Sequence, residues 1–261
     1  MHNHTLRLLL LLSTLLLLAA PLGAQSVLPA WATGPDAEQI LVHEGFTVSY
    51  NNKTRCPNWV AWELTPEEAA SEVTSRTDVY ATDPLVEGKQ ADNDDYSSNA
   101  FGMDRGHMAP SADFRWSVTA NEQTFYLTNI CPQAHALNEG PWLELEQRCR
   151  AYAKRYKTNV QVVCGPVYEK NGWHRSMGRN GVKIPNAFFK AVLMEVRGKT
   201  YAIAFIMENE RKILRENFSD YVVTMDELRG KTGIDPFPGV GYKETGWNGP
   251  WDIPWKKAKK K

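Results

Sequence analysis

The sequence predicts an α+β fold with a mixed or antiparallel sheet at its core, as one domain over about residues 36 to 245. Three observations point there. Runs of β-branched and aromatic residues of strand length occur in both halves of the chain, and helix-start signals lie between them. The composition, 43% hydrophobic, 23% charged and 11% aromatic over 261 residues, is that of a chain able to build a sizeable core. No internal repeat interrupts this pattern.

At the N-terminus, Arg7 precedes the apolar runs Leu8–Leu12 and Leu15–Ala20, which close on Leu22-Gly23-Ala24. A basic start, a short apolar stretch and a small residue at the end describe a secretory signal peptide over residues 1–24. A membrane span needs roughly 20 apolar residues, more than this run supplies. The expectation is therefore a secreted or periplasmic protein that begins near Gln25 and has no membrane association once the leader is removed. Phe46–Tyr50 alternates apolar and polar residues, Asn51-Asn52 turns the chain, and Trp59–Trp62 forms a second strand. Thr65-Pro66-Glu67-Glu68 opens a helix, with Thr as cap, Pro at the first position and Glu at the third. Residues 82–98, rich in Asp, Asn, Ser and Gly, are loop. Thr119 and Glu122 form a second capping box for a helix running toward Leu127.

A longer helix begins at Pro141, with Trp142, Leu145, Cys149, Tyr152, Ala153 and Tyr156 on one face. Val160–Cys164 is a strand stopped by Gly165-Pro166, and Phe188–Val196 with Tyr201–Met207 flank a hairpin turn at Arg197-Gly198-Lys199. Beyond Asp235 the chain is rich in Pro, Gly and Trp and wraps the surface. The predicted layout is a leader over 1–24, a main domain over 25–245 and a Trp/Pro-containing, Lys-rich tail over 246–261.

Lys and Arg total 30 against 30 Asp and Glu, so net charge does not announce a polyanion partner. Lys256, Lys257, Lys259, Lys260 and Lys261 crowd the C-terminus as a solvated tail or as an electrostatic lure for phosphates. The cysteines are Cys56, Cys131, Cys149 and Cys164. In an exported protein an even number suggests disulfides, and the absence of CxxC argues against a structural zinc site. Cys149 on the helix face and Cys164 at the end of the next strand are the expected pair, with Cys56 and Cys131 either paired or free.

The chemistry concentrates in FGMDRGHMAPSADF, Phe101–Phe114. His107 suits a general base that takes a proton from water. Arg105 offers a forked donor matched to phosphate oxygens. Gly106 permits close backbone approach between them. The amide-rich stretch Thr128–Gln147 follows. There Asn129 and Gln133 are expected to bond loop backbone, while Asn138 stands just before a helix with a hard carbonyl oxygen of the kind Mg²⁺ prefers. Glu146, eight residues on, could reach a water around that ion. A zinc hydrolase built on His107, His135 and His174 is a competing reading, but no HExxH or HxH supports it.

Asp104-Arg105-Gly106-His107 followed by Asn129, Gln133, Asn138, Trp142 and Glu146 resembles the DNA/RNA non-specific endonuclease family, which includes secreted bacterial nucleases and mitochondrial endonuclease G. The likeness extends to Arg76, to Val162–Pro166 and to Phe188–Val192. It implies a ββα-metal, or His-Me finger, active site. It also implies metal-dependent hydrolysis of DNA and RNA, with Mg²⁺ as the ion and Mn²⁺ as a substitute. By the same likeness His107 would activate water, Asn138 would bind the ion directly, and Glu146 would hold one of the ion's waters. Arg105 and Arg76 would contact the scissile phosphate, while Asp104 and Gln133 would support the loop. No element reads base edges, which predicts little sequence preference. The alternative is a nucleic-acid-binding module without catalysis. Oligomeric state and any inhibitor protein stay open at this level.

Overall fold

The computed structural model describes residues 28–31, 38–97, 101–169, 175–213, 215 and 218–251. The predicted leader, His174 and the terminal lysines lie outside the described residues. The centre is an eight-stranded sheet. From edge to edge run Val222–Val223, Lys199–Glu208, Ala187–Val196, Val160–Val167, Cys56–Leu64, Thr47–Asn51 and Gln39–Val42, with Lys243–Glu244 joined in parallel to Lys199–Glu208. Every other pairing in this sheet is antiparallel.

Alternation along each strand sends side chains to two cores. On one face, Val60, Trp62, Val162, Cys164, Phe188, Val192 and Met194 pack against the helix Leu143–Tyr156 and the small ββα unit that carries the site. On the other, Trp59, Ala61, Val163, Phe189, Ala191 and Leu193 pack against Met225 and Leu228 of the helix Met225–Thr232. The predicted α+β architecture is what forms, and the hairpin around Arg197-Gly198 has the expected register, with Val196 opposite Lys199.

Several local expectations need correcting. Thr65 does build its capping box with Glu68, over the helix Pro66–Ala70. The next cap, however, is Ser117 for Val118–Gln123: Ser117 has extended backbone and accepts from Ala120 N, while Thr119 falls inside the first turn. The polar segment 82–98 contains a short helix, Asn93–Ser97. Gly165-Pro166 does not stop its strand, which runs Val160–Val167. Pairing with Cys56–Leu64 ends at Cys164, so Pro166 keeps a ladder neighbour on one side only, where its missing N–H is tolerated. Gly165 is required by contact, since a Cβ there would stand 2.4 Å from the Asn58 carbonyl oxygen.

The four cysteines are buried free thiols, so the Cys149–Cys164 bridge does not form. Cys164 instead turns its thiol to the Met108 carbonyl at 3.3 Å. Burial pushes the thiols of Cys149 and Cys164 up to about 12. The chain end does more than wrap the surface. Trp251 is fully buried, its ring 4.1 Å from that of Tyr152, whose hydroxyl donates to the Trp251 carbonyl. Tyr156 donates to the Pro250 carbonyl at 3.0 Å. Among the described residues no helix is long and apolar enough to cross a membrane.

Candidate active site

The tetrapeptide Asp104-Arg105-Gly106-His107 lies in a strand, Met103–His107, paired antiparallel with Ile130–Ala134. Alternation does the sorting: Arg105 and His107 share one face, Asp104 and Gly106 the other. Gly106 stands opposite Cys131 in the ladder, and a Cβ there would meet Gln133 Oε1 at 2.2 Å. Glycine is thus demanded by the close approach of Gln133, not by a turn. The two amide atoms of Gln133 are buried without hydrogen-bond partners, so this residue supports the loop by packing, not by bonding its backbone. Asn129 does bond the backbone. Its Oδ1 accepts from Ala109 N at 2.9 Å, and its Nδ2 donates to the carbonyls of Ala109 and Thr124. The chain leaving His107 is thereby pinned to the second strand.

The His107 ring is buried, 5.0 Å from the Phe125 ring centroid and 5.7 Å from that of Tyr80. Trp142 Nε1 donates to the His107 carbonyl at 3.2 Å and ties the helix to the strand. Burial, with the positive charge of Arg76 added, depresses the His107 pKa to about 3, although a backbone hydrogen bond with Arg105 opposes the shift. The imidazole is therefore neutral across the physiological range. Its Nε2 has no hydrogen-bond partner.

His107 lines a cavity of about 410 Å³ together with Arg76, Arg105, Asn138, Glu146 and Arg150. All five sequence-predicted site residues meet there. Arg105 lies 4.9 Å over Tyr80 and 5.7 Å over Tyr96, with its Nε unpartnered and no carboxylate partner among the described residues. Arg76 is held by Asp78 at 2.6 Å and by the Tyr80 hydroxyl at 3.2 Å, above the Phe125 ring. Asp104 has a positioning role. Its Oδ2 accepts from Asn138 Nδ2 and pairs with His135 Nδ1, each at 2.9 Å. The Asn138 amide nitrogen is thus engaged, and its carbonyl oxygen has no partner among the described residues.

The helix path brings Asn138 and Glu146 to one cavity. In a straight α-helix, eight residues leave two side chains about 80° apart. Here a wide turn over Asn138–Trp142, kinked at Gly140, breaks that phase before the regular helix Leu143–Tyr156 begins. The predicted start at Pro141 falls inside this wide turn. Glu146 is buried, and desolvation raises its pKa to about 7 against the attraction of Lys190 and Arg150.

The sequence reasoning missed three members of this cluster. Arg150 reaches the cavity and is bound by Asp113 at 2.6 Å, and Asp113 also accepts from Trp62 Nε1 at 3.0 Å. Lys190 is almost fully buried, with its ammonium 3.9 Å from Glu146 Oε1 and 4.0 Å over the Trp142 ring. One usable signal existed: Arg150 stands four residues after Glu146, on the same helix face. Among the described residues no group of three His, Cys, Asp or Glu side chains could hold a metal, and His174 of the zinc reading lies outside them.

Comparison with known proteins is consistent across sequence and structure. The family model described as DNA/RNA non-specific endonuclease matches residues 30–243. Human mitochondrial endonuclease G is 33% identical over 216 residues, spanning 79% of this chain and 72% of its own. A nuclease of Serratia marcescens is 30% identical over 212 residues, spanning 80% of this chain and 78% of its own. The crystal structure of an EndoG/EndoGI complex superposes with a TM-score of 0.72 at 27% identity, covering 80% of this chain and 90% of the other. These findings overturn the expectation of a secreted or periplasmic protein. Relatives from human, yeasts and frog are named as mitochondrial nucleases, so an apolar leader does not by itself assign the compartment.

Proposed function

The chain belongs to the DNA/RNA non-specific endonuclease family, and from that membership we propose that it hydrolyses phosphodiester bonds of both DNA and RNA with little sequence preference, using Mg²⁺, or Mn²⁺ in its place, and His107 as general base. The observation that carries this reading is the neutral, buried His107, with its Nε2 unpartnered, on the same cavity as Arg105, Arg76 and Asn138.

The residues present fit a hard divalent ion. Asp104 occupies the amide nitrogen of Asn138 and leaves the carbonyl oxygen as a ligand, and the Glu146 carboxylate lines the same cavity. When bound, such an ion supplies charge compensation for the phosphorane and the leaving oxygen. The protein supplies the rest. His107 accepts the proton of the attacking water at a ring nitrogen, and the Phe125 and Tyr80 rings fix the attitude of its imidazole. Arg105 and Arg76 take the non-bridging phosphate oxygens, and Arg150, immobilised by Asp113, adds positive charge on the far side. Lys190 favours the ionised form of Glu146, which then accepts hydrogen bonds from water in the cavity. These contacts are to phosphate and water, and this supports cleavage without a preferred sequence.

The test is digestion of plasmid DNA and of ribosomal RNA by the purified protein, with Mg²⁺ and with EDTA. Both substrates should be cut with Mg²⁺ and spared with EDTA. Cleavage that persists in EDTA would overturn the metal dependence. Plasmid that is bound but intact with Mg²⁺ would favour the non-catalytic alternative.

A further inference from the structure

Beyond the catalytic cavity, the surface carries two further concavities in succession. The middle one shares Arg76, Arg105 and Asn138 with the catalytic cavity and adds Tyr80, Tyr96, Met103 and Asp104, whose carboxylate is taken up by Asn138 and His135. The outer one, about 300 Å³, shares Met103 with the middle one and is lined by Arg175, Asn209, Glu210, Arg211 and Lys212. Shared lining residues place the three side by side, the outer next to the middle across Met103, in a track leading away from His107.

Many of the protein's arginines are held by carboxylates, on this track as well as off it: Arg76 pairs with Asp78. Arg115, Arg148, Arg150, Arg179, Arg215 and Arg229 each pair with a carboxylate. Arg175, Arg211 and Lys212 are exposed, and none has a carboxylate partner among the described residues. Their positions are nevertheless organised. Arg211 donates to the Phe101 carbonyl at 2.8 Å, and the Arg175 guanidinium lies 5.7 Å from the Phe101 ring centroid. Asn209 anchors the floor, donating to the carbonyls of Pro132 and Pro185 and accepting from Ala134 N. Glu210 is the one acid lining the outer concavity. In a protein with no net charge, three exposed cations against one acid in a single concavity are a local attraction for a polyanion.

We propose that Arg175, Arg211 and Lys212 form a distal phosphate subsite that holds the backbone of the substrate strand several nucleotides from the scissile bond. The inference rests on the nuclease reading above and extends it to substrate length: a strand must be long enough to bridge the track before these cations add to its binding. The subsite is blind to bases, like the catalytic contacts, because guanidinium and ammonium groups meet phosphate oxygens only.

The test uses the full chain in EDTA with fluorescein-labelled oligothymidylates of three and twelve nucleotides, followed by anisotropy. Arg175→Gln/Arg211→Gln/Lys212→Gln removes the charge and keeps a donor for the Phe101 carbonyl. Its affinity for the twelve-mer should fall at least about tenfold, and the salt slope of log K should flatten by about 2, as expected for three lost contacts to a single strand. Affinity for the three-mer should stay within about twofold of wild type. Arg155→Gln/Arg197→Gln/Lys199→Gln makes the same charge change off the track and should leave both affinities unchanged. An equal loss in this control, an equal loss on the three-mer, or an unchanged twelve-mer affinity in the first variant would each overturn the subsite. Failure of the nuclease reading would look different: wild-type protein would bind the twelve-mer yet leave plasmid uncut with Mg²⁺.

Discussion

The surroundings of His107 keep it in the unprotonated form that can accept a proton. An exposed imidazole would be partly protonated near neutrality, whereas burial and Arg76 hold this one neutral down to about pH 3. Mild acid therefore does not silence it by protonation. His107→Ala should lower the turnover of plasmid cleavage by about two to four powers of ten while leaving circular dichroism and oligonucleotide binding in EDTA unchanged. Cleavage at the wild-type rate would remove His107 from its role. Glu146 behaves oppositely. Its folded pKa of about 7 lies above the ordinary 4.5, so its contribution to stability is fully present below about 4.5 and is lost as pH rises through 7. For metal-free protein, the melting difference between wild type and Glu146→Gln should thus shift in favour of the variant between pH 4 and pH 8, by at most about 3 kcal/mol. A difference that stays constant with pH would mean that Glu146 does not titrate in this range.

At the level of the element, period two in the Met103–His107 strand separates the work of neighbouring residues. Arg105 and His107 face the substrate cavity, while Asp104 orients Asn138 from the opposite side. Gly106 is the point where the second strand presses closest. Gly106→Ala places a methyl 2.2 Å from Gln133 Oε1 and 2.5 Å from Gln133 Cβ, and should cost about 1–3 kcal/mol in thermal or urea unfolding. Adding Gln133→Ala should recover part of that loss, because the clash is with that side chain. A Gly106→Ala variant as stable as wild type would show that the strand pair yields without cost.

For the whole molecule, the ββα unit and the long helix rest on one face of the central sheet, and Pro250-Trp251 close over the helix. Trp251 fills the space between Tyr152 and Phe205. Trp251→Ala should destabilise the fold by about 3–5 kcal/mol, measured by denaturant unfolding. If the midpoint does not move, the terminal segment is an ornament to the fold and not part of its core. The sheet also sets the electrostatics of the site. Strand alternation in Ala187–Val196 turns Lys190, between Phe188 and Val192, toward Glu146 and Trp142.

The fold class, the helix cap at Thr65, the hairpin at Arg197-Gly198 and the residues His107, Arg105, Asn138 and Glu146 were all legible in the linear order. Each depends on a local period, a local hydrogen bond or a residue type with one obvious chemistry. What lay beyond that reading depends on neighbours distant in the chain. Ser117 displaced Thr119 as a cap because the entering backbone is extended there. Pro166 stayed in a strand because pairing on that side had already ended at Cys164. Cys149 and Cys164 remained thiols because packing directs Cys164 to Met108 instead. Lys190 joined the site from a strand more than forty residues after Glu146. The sign and size of the His107 and Glu146 shifts likewise follow from burial, which no stretch of sequence expresses. Residue chemistry is a property of the side chain and survives in one dimension, but desolvation and juxtaposition are properties of the packed volume and exist only once the sheet has assembled around the site.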